Sequence, residues 1–197
     1  MIDLVGELAA ARAAITDGER DALLEAGIPQ RAIEIVGAAR IDLDRSARTY
    51  QLLEDIGDRV FILGVRAGDT WTPERLCPDA IAYCGPLVDL LAWHPRAVDH
   101  WALRLDTATW LGAIPPQFMN PAPVSIRRSP LGWLRAGAAG LCILTHDDRE
   151  ARALLRLCHR IEAEDDAHAD ELRHLLERPL SVPPITVARK PSQARAA

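Results

Sequence analysis

Residues 159 to 177, HRIEAEDDAHADELRHLLE, carry seven carboxylates and three histidines. Groups of this kind at this density are the donors of a cation site or of general acid–base chemistry. Helical periodicity accounts for most of them. From Asp166 to Glu177, Ala169, Leu172, Leu175 and Leu176 form one apolar stripe, and Asp166, Asp170, Arg173 and Glu177 lie mostly opposite. Asp165 is a natural N-cap. Acids crowd the first turn and Arg173, His174 and Arg178 fill the last, as the helix dipole favours. Asp170 and His174 are spaced as an i,i+4 pair. Glu162 and Glu164 fall outside that rule. Alternation along a strand turns both to one face, at the carboxyl end of HRIEAE. THDD, residues 145 to 148, closes the preceding apolar strand. Where two such strand ends are neighbours, Asp147, Asp148, Glu164 and Asp166 converge, and Mg²⁺ is the cation that suits such oxygen ligands. The competing reading is that Asp147 and Asp165 cap helices.

A second constellation is His94, Asp99 and His100 in HPRAVDH, flanked by Trp93 and Trp101. Two imidazoles and a carboxylate suit a transition metal or proton transfer, while His-Pro equally opens a turn. The tryptophans at 71, 93, 101, 110 and 133 interleave with Arg96, Arg104, Arg127 and Arg128. That mixture stacks the bases of a single strand, or else packs a core with Trp101, Leu103 and Leu105 on one face. Arg127 and Arg128, just before a helix start, are the strongest candidates for phosphate contact. GxGxxG, GxxxxGK[ST], GxSxG and HExxH are all missing from the sequence, which argues against P-loop and dinucleotide binding. Cys77, Cys84, Cys142 and Cys158 form no CxxC pair and have no zinc spacing, and they read as buried free thiols.

The elements that position these groups change character along the chain. The first 39 residues read as helices: LVGELAAARAAI, a second from a cap at Asp17 to a stop at Gly27, and a third, PQRAIEIVGAA, opened by Pro29. That third helix places Ala32, Ile33, Val36 and Ala39 on one face. Residues 40 to 128 read as an antiparallel meander. RVFILGVRAGD is one strand, and LVDLLAW and WALRL are the arms of a hairpin. The four prolines of PPQFMNPAP mark an internal boundary. Residues 129 to 188 read as a short helix, SPLGWLRAG, capped by Ser129 and closed by Gly137, and then as β-α-β-α-β. In that unit GLCILT, HRIEAE and PPITVA are the strands. The tail 189 to 197 lacks apolar periodicity and is expected to be disordered. The fold class is therefore α+β.

The net charge of -5 argues against a broad electrostatic grip on nucleic acid and leaves room for a local basic patch. No apolar run reaches the roughly 20 residues of a bilayer span. Asp3 and Glu7 stand where a secretory signal carries cations, so a cytoplasmic protein without membrane contact is expected.

FILGV, LVDLLAWHP, WALRL, WLGAI, then IRRSPLGWLRAG followed by GLCILTHDDREARALL resembles the core of phage- and plasmid-borne primase-like proteins. In that family a small antiparallel meander leads through a short helical segment into a Toprim domain. The join SPLGWLRAG–GLCIL is also similar to one in bacterial proteins of mobile elements. The resemblance spans residues 58 to 188. It implies a Toprim-like scaffold whose catalytic Glu is absent after GLCILT, where THDD stands, and whose Asp-x-Asp is replaced by EAEDD. The expected function is an enzymatically degenerate accessory protein in the nucleic-acid metabolism of a mobile element, touching single-stranded nucleic acid or a replication protein. A Mg²⁺-dependent phosphoryl-transfer or nuclease-like enzyme on the acidic strand ends is the alternative. A protein-interaction module is the third reading.

Overall fold

A computed structural model describes residues 2–66, 86–94, 96–112 and 123–177, with Val98 and Asp99 described as backbone only. Helices α1 (Leu4–Ala14), α2 (Asp17–Glu25) and α3 (Gln30–Ile33) lead into β1 (Val36–Asp44), β2 (Thr49–Leu53), β3 (Asp58–Arg66), β4 (Leu87–His94) and β5 (Ala97–Leu103). Then come β6 (Trp110–Leu111), β7 (Val124–Arg127), α4 (Pro130–Arg135), β8 (Leu141–Ile143), α5 (Asp148–Arg156), β9 (Ile161–Glu162) and α6 (Asp166–Glu177). Helix and strand are mixed as the α+β reading requires. Among the described residues no helix is long and apolar enough to cross a membrane.

The strands make two sheets. The first is a closed barrel in the order β1-β2-β5-β4-β3, and the second has the order β6-β8-β7-β9. Every barrel pair is antiparallel except β2 with β5, which is parallel and rests on one bridge, Thr49 to Leu103. The Leu103 amide donates to the Arg48 carbonyl there, at 3.1 Å. Period-two alternation sorts the side chains. Ile41, Tyr50, Ile62, Leu90, Ala92 and Ala102, from all five strands, share one cluster with Leu8 and Ala11 of α1. This is the barrel interior, with α1 closing one end. Gly37 and Gly64 make that closure possible: a Cβ on them would lie 2.7 Å from the Ala11 backbone and 2.8 Å from Leu8. The opposite faces of the strands, with Val36, Phe61, Leu63, Leu91, Trp93 and Leu103, pack against α2, α3, α4 and β8.

Local chemistry fixes the ends. The second helix is capped by Thr16 in a capping box with Glu19, not by Asp17, because Asp17 is already helical. Gly27 and Gly137, at φ 83° and 72°, stop α2 and α4 where they were expected to. The third helix lasts only four residues. Val36 and Ala39, expected on its apolar face, lie in β1. Small and β-branched residues there satisfy both periods, and pairing of Val36 with Leu63 across to β3 decides between them.

Asp89 is fully buried, and its carboxylate accepts from the amides of Leu90, Leu105, Thr107 and Ala108 at 2.8–3.3 Å. It fastens the segment after β5 to the barrel wall. Arg59 and Arg104 tie the helices on: Arg59 to Glu19 at 2.8 Å and Arg104 to Glu7 at 3.2 Å. The Arg59 guanidinium holds the Glu19 carboxyl down to about 2.

In the second sheet, β7 pairs in parallel with both β8 and β9. The meander expected over 40 to 128 thus divides, with its last two strands, β6 and β7, in the second sheet. GLCILT and HRIEAE, expected as successive strands of one unit, are separated by β7. PPITVA, PPQFMNPAP, Trp71, Cys77, Cys84 and the tail lie at least in part outside the described residues.

Candidate functional site: the open mouth of the barrel

At the barrel end opposite α1 a cavity of about 870 Å³ opens. Its floor is the inward face of the strands: Ile41, Val60, Ala92 and Ala102. The alanines are what leave it empty, since α1 fills the other end with leucine. The mouth is polar. His94 comes from the end of β4 and His100 from β5, Arg45 and Arg48 from the β1–β2 turn, Asp58 from the start of β3, and His146 from the loop after β8. Trp93 and Trp101, paired across β4 and β5, form the wall beneath His146. The loop 145–147 reaches this mouth because Leu144 and Thr145 donate to the Thr109 carbonyl at 2.9 and 3.1 Å.

Two features of the mouth are unusual for this molecule. The Trp101 indole and the His146 imidazole stack, with ring centroids 5.8 Å apart and planes at 17°. Trp101 is half-buried and anchored by its Nε1–H donating to the Leu144 carbonyl at 3.4 Å, while His146 is exposed. Burial and the Arg48 charge lower the His146 pKa, against the opposing pull of Asp106. Second, the Arg45 and Arg48 side chains are exposed, and their guanidiniums make no hydrogen bond or ion pair with a described residue. Arg59, which also lines the cavity, is committed to Glu19 and to the Ala14 carbonyl.

Of the expected constellation in HPRAVDH, His94 and His100 line this cavity, and the Asp99 side chain lies outside the described residues. The His94 Nδ1 accepts from the Arg96 amide at 3.1 Å, which places its ring proton on Nε2. Trp93 is buried against Phe61, with centroids 5.4 Å apart, as a core residue.

The acidic strand ends are arranged differently. Because β7 stands between β8 and β9, their carboxyl ends are two strand spacings apart, about 10 Å. Asp147, Asp148, Glu164 and Asp166 are therefore not brought into one cluster. Among the described residues no group of three or more His, Cys, Asp or Glu side chains is placed to hold a metal ion. Asp147 caps α5, accepting from the Arg149 amide. Asp148 lies in the first turn of α5 and Asp166 in that of α6. Glu164 lies over α4, where a Cβ at Gly132 would stand 2.7 Å from its Oε1. Glu162, its expected face-mate, accepts from the Ser125 hydroxyl at 2.5 Å. Asp165 caps α6 through the His168 amide, as read from the sequence.

The arginine doublet also separates. Arg128 reaches across to α6, donating to both Asp165 oxygens at 2.7 and 3.0 Å and to Glu171 at 3.2 Å. It holds the Asp165 carboxyl at about 2. Arg127 is half-buried, and its Nε is buried without a partner among the described residues. On α6 the ion pair is Asp170 with Arg173 rather than with His174. The sequence reading of that helix overlooked His168. It is buried, its Nδ1 accepts from the Glu164 amide at 3.2 Å, and burial lowers its pKa. Cys142 is buried and Cys158 half-buried, both free thiols raised by burial.

Arg45, Arg48 and His146 were not read as a site from the sequence. The available sign was RSAR at a hairpin tip, two cations at a turn between strands. No family model, curated protein or solved structure matches the chain.

Proposed function

We propose that this protein is a non-catalytic accessory factor of nucleic-acid metabolism that holds single-stranded nucleic acid at the open mouth of its barrel. The observation that carries the reading is the pair of unpartnered guanidiniums, Arg45 and Arg48, beside the Trp101–His146 stack, whose His146 ring is exposed. Cations that track a phosphate chain and rings that meet its bases are the two parts of a single-strand site. Five-stranded, partly open barrels hold oligonucleotides in other proteins, an analogy of scaffold rather than of residues. The resemblance of residues 58 to 188 to Toprim-containing primase-like proteins is the ground for placing it in a mobile element's replication. Asp147 is engaged as a helix cap and Asp165 in a cap and a bridge to Arg128, and no three of the described acids gather for a cation, which favours binding over Mg²⁺-dependent phosphoryl transfer.

The test is fluorescence anisotropy of a labelled single strand against salt. Two phosphate contacts give a log–log slope near -1.4 at about 0.7 per contact. Absence of binding at about 50 mM salt sinks the proposal.

A further inference from the structure

We propose that the mouth recognises an unpaired nucleobase together with its phosphate: the base stacks on the open face of His146 while the phosphate lies against Arg45 and Arg48. This rests on the single-strand reading and adds what is recognised. Trp101 is a fixed platform, since its indole is half-buried against the core and its Nε1–H is held by the Leu144 carbonyl. His146 covers that platform at 17° and is itself exposed, so a third planar ring extends the stack without displacing anything. Burial and the Arg48 charge lower the His146 pKa, against Asp106, which favours the uncharged ring. Arg48 approaches this ring closely enough to act on its charge, which puts a guanidinium within a nucleotide's reach of the stacked base. The cavity volume, about 870 Å³, is within the roughly 300–1,000 Å³ range of sites for small ligands. A paired base offers only its edges in a groove, so a ring face is available only in a single strand or an extruded nucleotide. Every base has a π-face, so little sequence preference is expected.

The experiment compares the full chain's affinity for oligothymidylate and for an abasic deoxyribose-phosphate strand of equal length at about 50 mM salt. The abasic strand is expected to bind roughly 5- to 100-fold more weakly. His146→Ala should weaken the oligothymidylate complex by a comparable factor and leave the abasic complex unchanged. His146→Phe, which keeps a ring on Trp101, should retain the wild-type ratio. Equal affinity for the two strands overturns base stacking while leaving phosphate binding by the arginines intact. Binding of neither strand overturns the single-strand reading itself. An equal loss on both strands in His146→Ala, with His146→Phe giving no rescue, makes His146 a structural residue and also overturns the proposal.

Discussion

The barrel mouth and the carboxyl ends of the parallel strands are both rich in ionisable groups, yet they differ in where those charges go. At the strand ends Arg128 bridges Asp165 and Glu171, Asp147 caps a helix, and Glu162 takes the Ser125 hydroxyl. At the mouth Arg45 and Arg48 have no described partner, and the floor beside them is an apolar hollow. The first region has the higher charge density in sequence and ties much of it up in caps and bridges, while the second sets two unpaired guanidiniums beside a hollow. A charged group that already satisfies a neighbour gains little by meeting a ligand, because the old contact is lost as the new one forms. Unpartnered charge next to a cavity has no such competitor.

The largest expected effect breaks the frame that the mouth depends on. Asp89→Ala removes the acceptor for four backbone amides and should cost about 3 kcal/mol, read as a lowered urea midpoint. A midpoint shift under a few tenths of a molar would mean that water replaces the carboxylate. The next effect sharpens the contrast directly. Replacing both Arg45 and Arg48 by Ala should weaken single-strand binding by about tenfold and flatten its salt slope by about 1.4. Stability should move by less than about 0.5 kcal/mol, since both are exposed surface groups.

On the strand-end side the effects are smaller and of another kind. His168 has a lowered pKa in the folded chain, so the unfolded chain binds its proton more readily. Its contribution is present above the ordinary histidine value of about 6.5 and is lost as pH falls below it. Thermal melts between about pH 7.5 and 5 should show this decline, and His168→Gln should reduce it. Asp165, held at about 2, adds a second loss only under strongly acid conditions, below its unfolded value of about 4. The smallest effect belongs to Arg128→Ala, whose bridges are exposed: a slightly lower melting temperature and unchanged single-strand affinity. Millimolar Mg²⁺ should leave the melting temperature where it is, whereas a cation site on the strand ends would raise it. A clear Mg²⁺ shift removed by Asp147→Asn would reverse the roles of the two regions.

The apolar stripe and the cap of the helix after Asp165 were legible, because Leu172, Leu175 and Leu176 follow the helical period and the cap is local chemistry, whereas the buried His168 and the Asp170–Arg173 pair were not. Also legible were the Ser129 cap, the Gly27 and Gly137 stops and the pairing of β4 with β5, although β5 begins at Ala97, inside the HPRAVDH segment expected as the connection. These depend on residues within a turn or two of each other, which is the range over which sequence acts directly. What folds the barrel shut was not legible. The single Thr49–Leu103 bridge joins residues 54 apart, and nothing local specifies it. The order β8-β7-β9 was equally hidden, since periodicity states that a segment is a strand and not which strand is its neighbour. That one choice separated Asp147 from Glu164, and the packing of the 145–147 loop against Trp101 set His146 on an indole. Sequence alone determined the elements, their caps and the supply of charge. Tertiary structure decided which charges neutralise each other and which stay free, because pairing requires proximity in space and only the strand order sets it.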